Sequence, residues 1–359
     1  MSSLNLNYES CVRSLSLKAG CEACQQACPE GAITLNGVRN TVVVHKAPCT
    51  DCGLCAAACP TDAFDAPFDL EAFLSTSGPE LRCGAGGLPC IGALSTEDLI
   101  VLACRHRALE VHDSPCDSRD PGHMLAHQRV QEVLHFISDS SLRSQVQWVA
   151  DEQLAPPGPA PAATPCPPPA PERVSQGRRR LIGMFVPPLK ETKGAELVHP
   201  DRLDRTRMQQ VPQRRRRLLA ALPSSIEARS ASRAQEQVSF FSTKHLCADA
   251  CTACSVCVAV CPTGALQAPR SLREIRFDTS RCTKCGLCHD VCEPNAITLA
   301  PETSLADLLD FGPRMLGRLA VAPCAECGMR FRKLRPEQGL CERCEDMDRE
   351  ALELAGGGR

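Results

Sequence analysis

Cysteine is the residue type with chemistry in this chain, because it recurs at short fixed intervals. The runs are Cys21-E-A-Cys24-Q-Q-A-Cys28-Pro29, Cys49-T-D-Cys52-G-L-Cys55-A-A-A-Cys59-Pro60, Cys251-T-A-Cys254-S-V-Cys257-V-A-V-Cys261-Pro262 and Cys282-T-K-Cys285-G-L-Cys288-H-D-V-Cys292-E-Pro294. At C-x2-C-x2-C-x3-C spacing, three thiolates wrap three corners of a [4Fe–4S] cube and the fourth crosses over to a neighbouring cube. The four copies come in two pairs, so this rule sorts the cysteines into four sets. Cys251, Cys254 and Cys257 go with Cys292, and Cys282, Cys285 and Cys288 go with Cys261. Cys49, Cys52 and Cys55 go with Cys28, while Cys21 and Cys24 go with Cys59 and one more ligand.

That last set lacks the cysteine expected three residues before Cys21. Cys11 is the sole upstream cysteine, and Lys18-Ala19-Gly20 offers a turn to bring it back. The longer loop is cheap, since each doubling of length adds only about 0.6 kcal/mol of closure entropy. The alternatives for this set are a three-iron cluster, a ligand other than cysteine, or an empty site. For every set the competing metal is zinc, which also takes four thiolates but usually through two C-x2-C knuckles.

Cys324-A-E-Cys327 and Cys341-E-R-Cys344 have that second pattern. They read as a zinc-ribbon-like closed structural site, with a rubredoxin-like single iron as the competing occupant. Of the remaining six cysteines, Cys83, Cys90, Cys104 and Cys116 are irregularly spaced. They are read as buried or free thiols, with a fifth metal site as the alternative. Cys166 and Cys247 are read as spare thiols.

The paired runs resemble bacterial-type dicluster ferredoxin domains, over about a third of the chain. The resemblance implies two [4Fe–4S] clusters per domain, a small fold of strands and short helices, and one-electron transfer. One departure is Cys292-Glu293-Pro294, where proline comes one residue late; the other is the stretch from Cys11 to Cys21. The expected fold class is α+β. It comprises a dicluster domain over 1–66, a small α/β unit over 67–150 and a Pro-rich then basic linker over 151–236. A second dicluster domain over 237–302 and a connecting helix with the zinc-ribbon-like module over 303–359 complete it. Within 67–150, V-L-A-C and A-L-E-V read as strand-like runs and Leu125–Leu142 as a helix. Residues 155–172 are Pro/Ala-rich and read as a disordered or extended linker.

Composition narrows the function classes. The 359 residues include 26 cysteines, against 3% aromatics and a net charge of −2. Cores that small need stabilisation from elsewhere, and metal can supply it. The N-terminus has neither a basic n-region nor an apolar h-region, and no apolar run approaches the roughly 18 residues of a membrane helix. The expectation is therefore a cytoplasmic protein that binds metal rather than one held by disulfides. Residues 173–217 carry thirteen Arg or Lys against four Asp or Glu. This segment is read first as a solvated linker, then as a dock for an acidic partner; nucleic-acid binding is the weakest reading. Gly84-Ala85-Gly86-Gly87 lacks the order of a nucleotide loop and reads as a turn, and His123-x3-His127 as exposed helix histidines. No hydrolase, NTPase, flavin or pterin fingerprint is present. The expected function is a relay of single electrons through four [4Fe–4S] clusters, beside one Zn2+, to or from a partner oxidoreductase, without a small-molecule substrate. Such a chain is an electron carrier or oxidoreductase subunit more than a stand-alone enzyme. The alternative is a redox-responsive adaptor or maturation factor.

Overall fold

Both cysteine-rich segments are built from pieces too short to be stable alone. The computed structural model describes residues 4–112, 120–149, 209–229, 232–333 and 335–354. Residues 1–152 and 205–359 form one compact unit, and a second, 153–204, lies outside the described residues. So do the Pro/Ala-rich stretch, Arg178–Arg180, Cys116 and Cys166. Among the described residues, no helix is long and apolar enough to cross a membrane.

In the first segment, helices α1 (Val12–Leu15), α2 (Ala23–Gln26) and α3 (Leu54–Ala58) span four or five residues. Strands β1 (Ile33–Asn36) and β2 (Thr41–Val44) pair antiparallel, with Ile33 opposite Val44. One-turn helices and a lone hairpin are marginal in water, so tertiary packing must hold them. That packing is a small core of Leu4, Ile33, Val42, Ala63 and Phe64 laid against the cysteines themselves. An isolated bridge, Leu6 to Phe64, closes the two ends of the segment.

The middle region is a parallel three-stranded sheet, β3 (Glu80–Leu81), β4 (Ala108–His112) and β5 (Gln145–Val149), in that order. Helix α5 (Thr96–Arg105) connects the first two strands and α6 (Pro121–Ser138) the last two; α4 (Leu70–Thr76) precedes the sheet. A-L-E-V is strand β4, but V-L-A-C lies inside α5, contrary to the sequence expectation. A capping box between Ser95 and Asp98 starts that helix, and Leu99, Leu102 and Ala103 recur at helical spacing on its buried side. Helix α6 starts earlier than its apolar pattern suggests, because Asp120 caps it and Pro121 opens it. Gly84, Gly86 and Gly87 all have positive φ in a turn.

Helix α7 (Gln213–Ala221) contains the run Arg214–Arg217, and the structure departs from a solvated linker here. Arg215 is fully buried. Its guanidinium pairs with Glu97 and donates to the carbonyls of Phe240, Ser280 (3.0 Å) and Cys282 (2.9 Å). Arg214 pairs with Asp62 at 2.6 Å and donates to the carbonyls of Ala56 and Ala57. Arg217 pairs with Glu71 and Asp98. Three of the four charges are internal mortar, while Arg216 stays exposed and bonds to Gln213 on its own helix.

The second cysteine-rich segment pairs Lys244–Leu246 with Ile297–Leu299, and a further sheet runs Arg314–Arg318, Glu274–Phe277, Leu266–Gln267. The C-terminal module is a hairpin of Val321–Pro323 with Arg330–Arg332, followed by helix Glu342–Leu354. The architecture is mixed α/β, with two cysteine-rich regions and a C-terminal cysteine cluster.

Candidate metal centres

Each crossing cysteine is followed by the same turn. Gly31, Asp62, Gly264 and Asn295 stand three residues after Cys28, Cys59, Cys261 and Cys292, and all four have positive φ. This is the left-handed region that glycine, asparagine and aspartate tolerate best. The turn points a backbone N–H back at sulfur: Ala32 donates to Cys28 Sγ (3.2 Å), Ala63 to Cys59 Sγ (3.3 Å) and Ala296 to Cys292 Sγ (3.2 Å). The late proline after Cys292 therefore leaves both turn and N–H···S bond in place.

The C-x2-C-x2-C loops also share a backbone pattern. Asp51, Ala253 and Lys284, then Gly53, Ser255 and Gly286, all have positive φ at matching positions of three runs. Alternating right- and left-handed residues turn successive N–H groups toward one point, a concavity suited to an anionic centre. The first run does not follow this pattern. Residues 23–26 coil into helix α2, in keeping with a run whose first thiol comes from elsewhere.

Cys11 comes back to that run. Cys11, Cys21, Cys24 and Cys59 line one small cavity, walled by Val12, Val42, Ala63 and Phe64. Cys28, Cys49, Cys52 and Cys55 line another with Leu4, Ala32 and Ile33. The device that returns Cys11 was not visible in the sequence. Arg13, itself buried, donates Nε to the Cys21 carbonyl (2.6 Å) and Nη1 to Asn40 Oδ1. Asn40, in the left-handed region at the hairpin turn, donates to the carbonyls of Ser16 (2.8 Å) and Ala19 (3.1 Å). Two polar side chains thus bond three carbonyls of the excursion, those of Ser16, Ala19 and Cys21. Its tip meets the second cysteine-rich segment, where Gly20 N–H donates to Asp290 Oδ2 (2.8 Å) and Lys18 pairs with Glu293. Val12 and Ala19 join that segment's core.

In the second segment the thiols interact in two groups. Cys257 feels Cys288 of the adjacent set first and then Cys254, Cys292 and Cys251 of its own, while Cys285 feels Cys282, Cys288 and Cys261. Burial, and then neighbouring thiols, push Cys24, Cys55 and Cys257 up to about 12. Burial also takes Cys288 to about 12, against the nearby Lys244 ammonium. Thiols crowded into dry cavities resist ionising together, and a bound cationic centre reverses that preference. The donor sets accordingly fit metal.

The C-terminal four are arranged differently. The sulfurs of Cys324, Cys327, Cys341 and Cys344 lie within 4.8 Å of one another, tighter than any other such group among the described residues. Thiolates about 2.3 Å from a tetrahedral zinc stand about 3.8 Å apart, and Cys327 Sγ to Cys341 Sγ is 3.8 Å. Backbone N–H groups of Cys327 and Cys341 lower the Cys324 thiol to about 6. These four fit a single ion, whereas the other sets surround wider spaces. Cys83, Cys90 and Cys104 form no such tight group, and burial raises Cys104 to about 11.

Residues 19–63 match the model of a 4Fe-4S dicluster domain, and residues 250–297 match another model of the same description. No curated protein matches the chain. The first match begins after Cys11. The chain thus carries two 4Fe-4S dicluster domains and a C-terminal four-cysteine metal-binding cluster, the make-up of an iron–sulfur redox protein.

Proposed function

We propose that this protein is an electron carrier, or the electron-transfer subunit of a larger oxidoreductase, with four [4Fe–4S] clusters and one structural zinc. The ligand sets are Cys11/Cys21/Cys24/Cys59, Cys28/Cys49/Cys52/Cys55, Cys251/Cys254/Cys257/Cys292 and Cys261/Cys282/Cys285/Cys288, with Cys324/Cys327/Cys341/Cys344 for zinc. When bound, such clusters supply one-electron exchange at potentials set by hydrogen bonds to sulfur and by burial. The chain's own residues provide both controls. The N–H groups of Ala32, Ala63 and Ala296 stabilise the thiolate form of the crossing ligands, and Val42, Ala63 and Phe64 keep water from the Cys11 set.

The observation that carries this reading is the return of Cys11 to Cys21, Cys24 and Cys59 around one cavity. The same excursion lies against the second dicluster segment, which favours continuous relay between the two halves over two separate carriers. Anaerobic purification with metal analysis tests it. About sixteen iron and one zinc per chain are expected from four cubes and one four-thiolate site. Cys11→Ala should retain about twelve iron. Full iron retention in that variant, with an unchanged electron paramagnetic spectrum of the reduced protein, would refute the Cys11 assignment.

A further inference from the structure

One roomy cavity is lined by no cysteine among the described residues. It measures about 510 Å³ and lies among α2, α3, the N-terminus of α5, and α6. Ala23, Ala27, Ala57 and Leu125 give it an apolar wall, and Met124 and Gln128 stand exposed at its mouth.

Among its lining residues is Arg129, 7% exposed. This guanidinium donates Nη1 to the carbonyls of Gly92 and Leu94 (2.8 Å) and has no carboxylate within ion-pair distance among the described residues. Its Nε and Nη2 donors make no hydrogen bond to described residues. Burial, and then the like charge of Arg214 in the same wall, lower its pKa to about 10, against the favourable charges of Glu132 and Asp98. The neighbouring acids are engaged. Glu97 pairs with Arg215, Asp62 with Arg214 and Asp98 with Arg217, while Glu132 accepts from Thr96 Oγ1 (2.8 Å) and Ser239 Oγ (2.6 Å). The first N–H groups of the ten-residue helix α5, at Thr96 and Glu97, have no intrahelical acceptor and border the same space. Thr283, also in the wall, buries a hydroxyl without a hydrogen-bond partner among the described residues.

A buried cation without an ion pair among the described residues, a helix N-terminus and an orphan hydroxyl thus line one cavity with a partly apolar wall. The geometry points to a binding site for a small organic carboxylate with an apolar body, its carboxylate held by Arg129. Cavities of this size accept ligands of that kind, and a buried guanidinium with spare donors is suited to a carboxylate. Such a ligand would come in addition to the electron relay, for which the sequence reading expected no small-molecule substrate. The site stands independently of which metals the cysteines hold.

The test is titration calorimetry on the full chain purified anaerobically, with phenylacetate as probe. Phenylacetamide and inorganic phosphate serve as controls. Saturable one-to-one binding of phenylacetate is expected, with the amide at least about tenfold weaker. Arg129→Gln should weaken phenylacetate by roughly ten- to hundred-fold, the loss of a charge-assisted hydrogen bond, and Arg129→Lys should recover part of that. Gln128→Trp fills the mouth from an exposed position. It should abolish binding while iron, zinc and melting temperature stay unchanged, and it decides the matter if Arg129→Gln does not fold. No saturable heat from phenylacetate, unchanged binding in Gln128→Trp, or inorganic phosphate binding as tightly as phenylacetate would each overturn the assignment.

Discussion

Arg13 and Asn40 convert a ten-residue excursion into a defined loop by meeting four polar groups in its partly buried interior. Arg13 satisfies the Cys21 carbonyl and Asn40 Oδ1; Asn40 satisfies two more carbonyls. An unsatisfied buried polar group costs about 1–3 kcal/mol. Arg13→Ala should therefore lower stability by about that much, read as a shifted denaturant midpoint. It should also make the iron of a single cluster the first to leave under chelation, followed by absorbance. Uniform loss from all clusters would argue against a local latch. At a second position, Ser255 takes a positive φ where the matching runs have Gly53 and Gly286. Left-handed backbone costs a non-glycine residue about 1–2 kcal/mol, and glycine's greater freedom in the unfolded chain takes part of that back. Ser255→Gly should stabilise the protein by roughly 0.5–1 kcal/mol, measured against wild type in matched denaturant titrations.

At the scale of elements, the C-terminal hairpin and helix have little core of their own beyond Phe331 and the cysteines. Metal must then supply most of their stability. Treatment with a zinc chelator should release one equivalent of zinc and expose the amides of Val321, Ala322 and Arg330–Arg332 to rapid hydrogen exchange, while the iron chromophore is retained. Retained protection after zinc loss would mean that docking alone holds the module. That docking exists: Arg332 pairs with Asp249, and Leu319 and Val321 pack into the core around the second dicluster segment.

For the molecule as a whole, helix α7 joins parts that are far apart in sequence. Arg214 reaches the first cysteine-rich segment, Arg217 the α/β region, and Arg215 both the α/β region and the second cysteine-rich segment. Removing one partner of a buried ion pair typically costs about 3–5 kcal/mol, because the other charge is left bare. Arg215→Met should destabilise by about that amount, and adding Glu97→Leu should restore a good part of it. A double variant no more stable than Arg215→Met would show that the carbonyls of Phe240, Ser280 and Cys282, and not Glu97, depend on this arginine.

The metal chemistry was legible in the sequence because ligand sets obey local spacing: C-x2-C fixes which thiols share a loop, and the residue three after each crossing cysteine signals its turn. Within the middle region V-L-A-C was read as a strand, since four apolar residues carry no period long enough to tell helix from strand. The Cys11 excursion gave only a candidate ligand, as its latch residue Asn40 lies twenty-seven positions from Arg13. Composition alone made Arg214–Arg217 look solvated. The partners of Arg214, Arg215 and Arg217 stand up to 158 residues away, and only packing reveals that these three charges are internal while Arg216 is exposed. The same holds for Arg129, which in sequence is one charge on a long helix. Its missing counterion, and the cavity it faces, exist only once α5, α6 and the cysteine helices are assembled. Local spacing thus determined what this protein binds through sulfur, and long-range burial of charge decided what holds it together and where else a ligand fits.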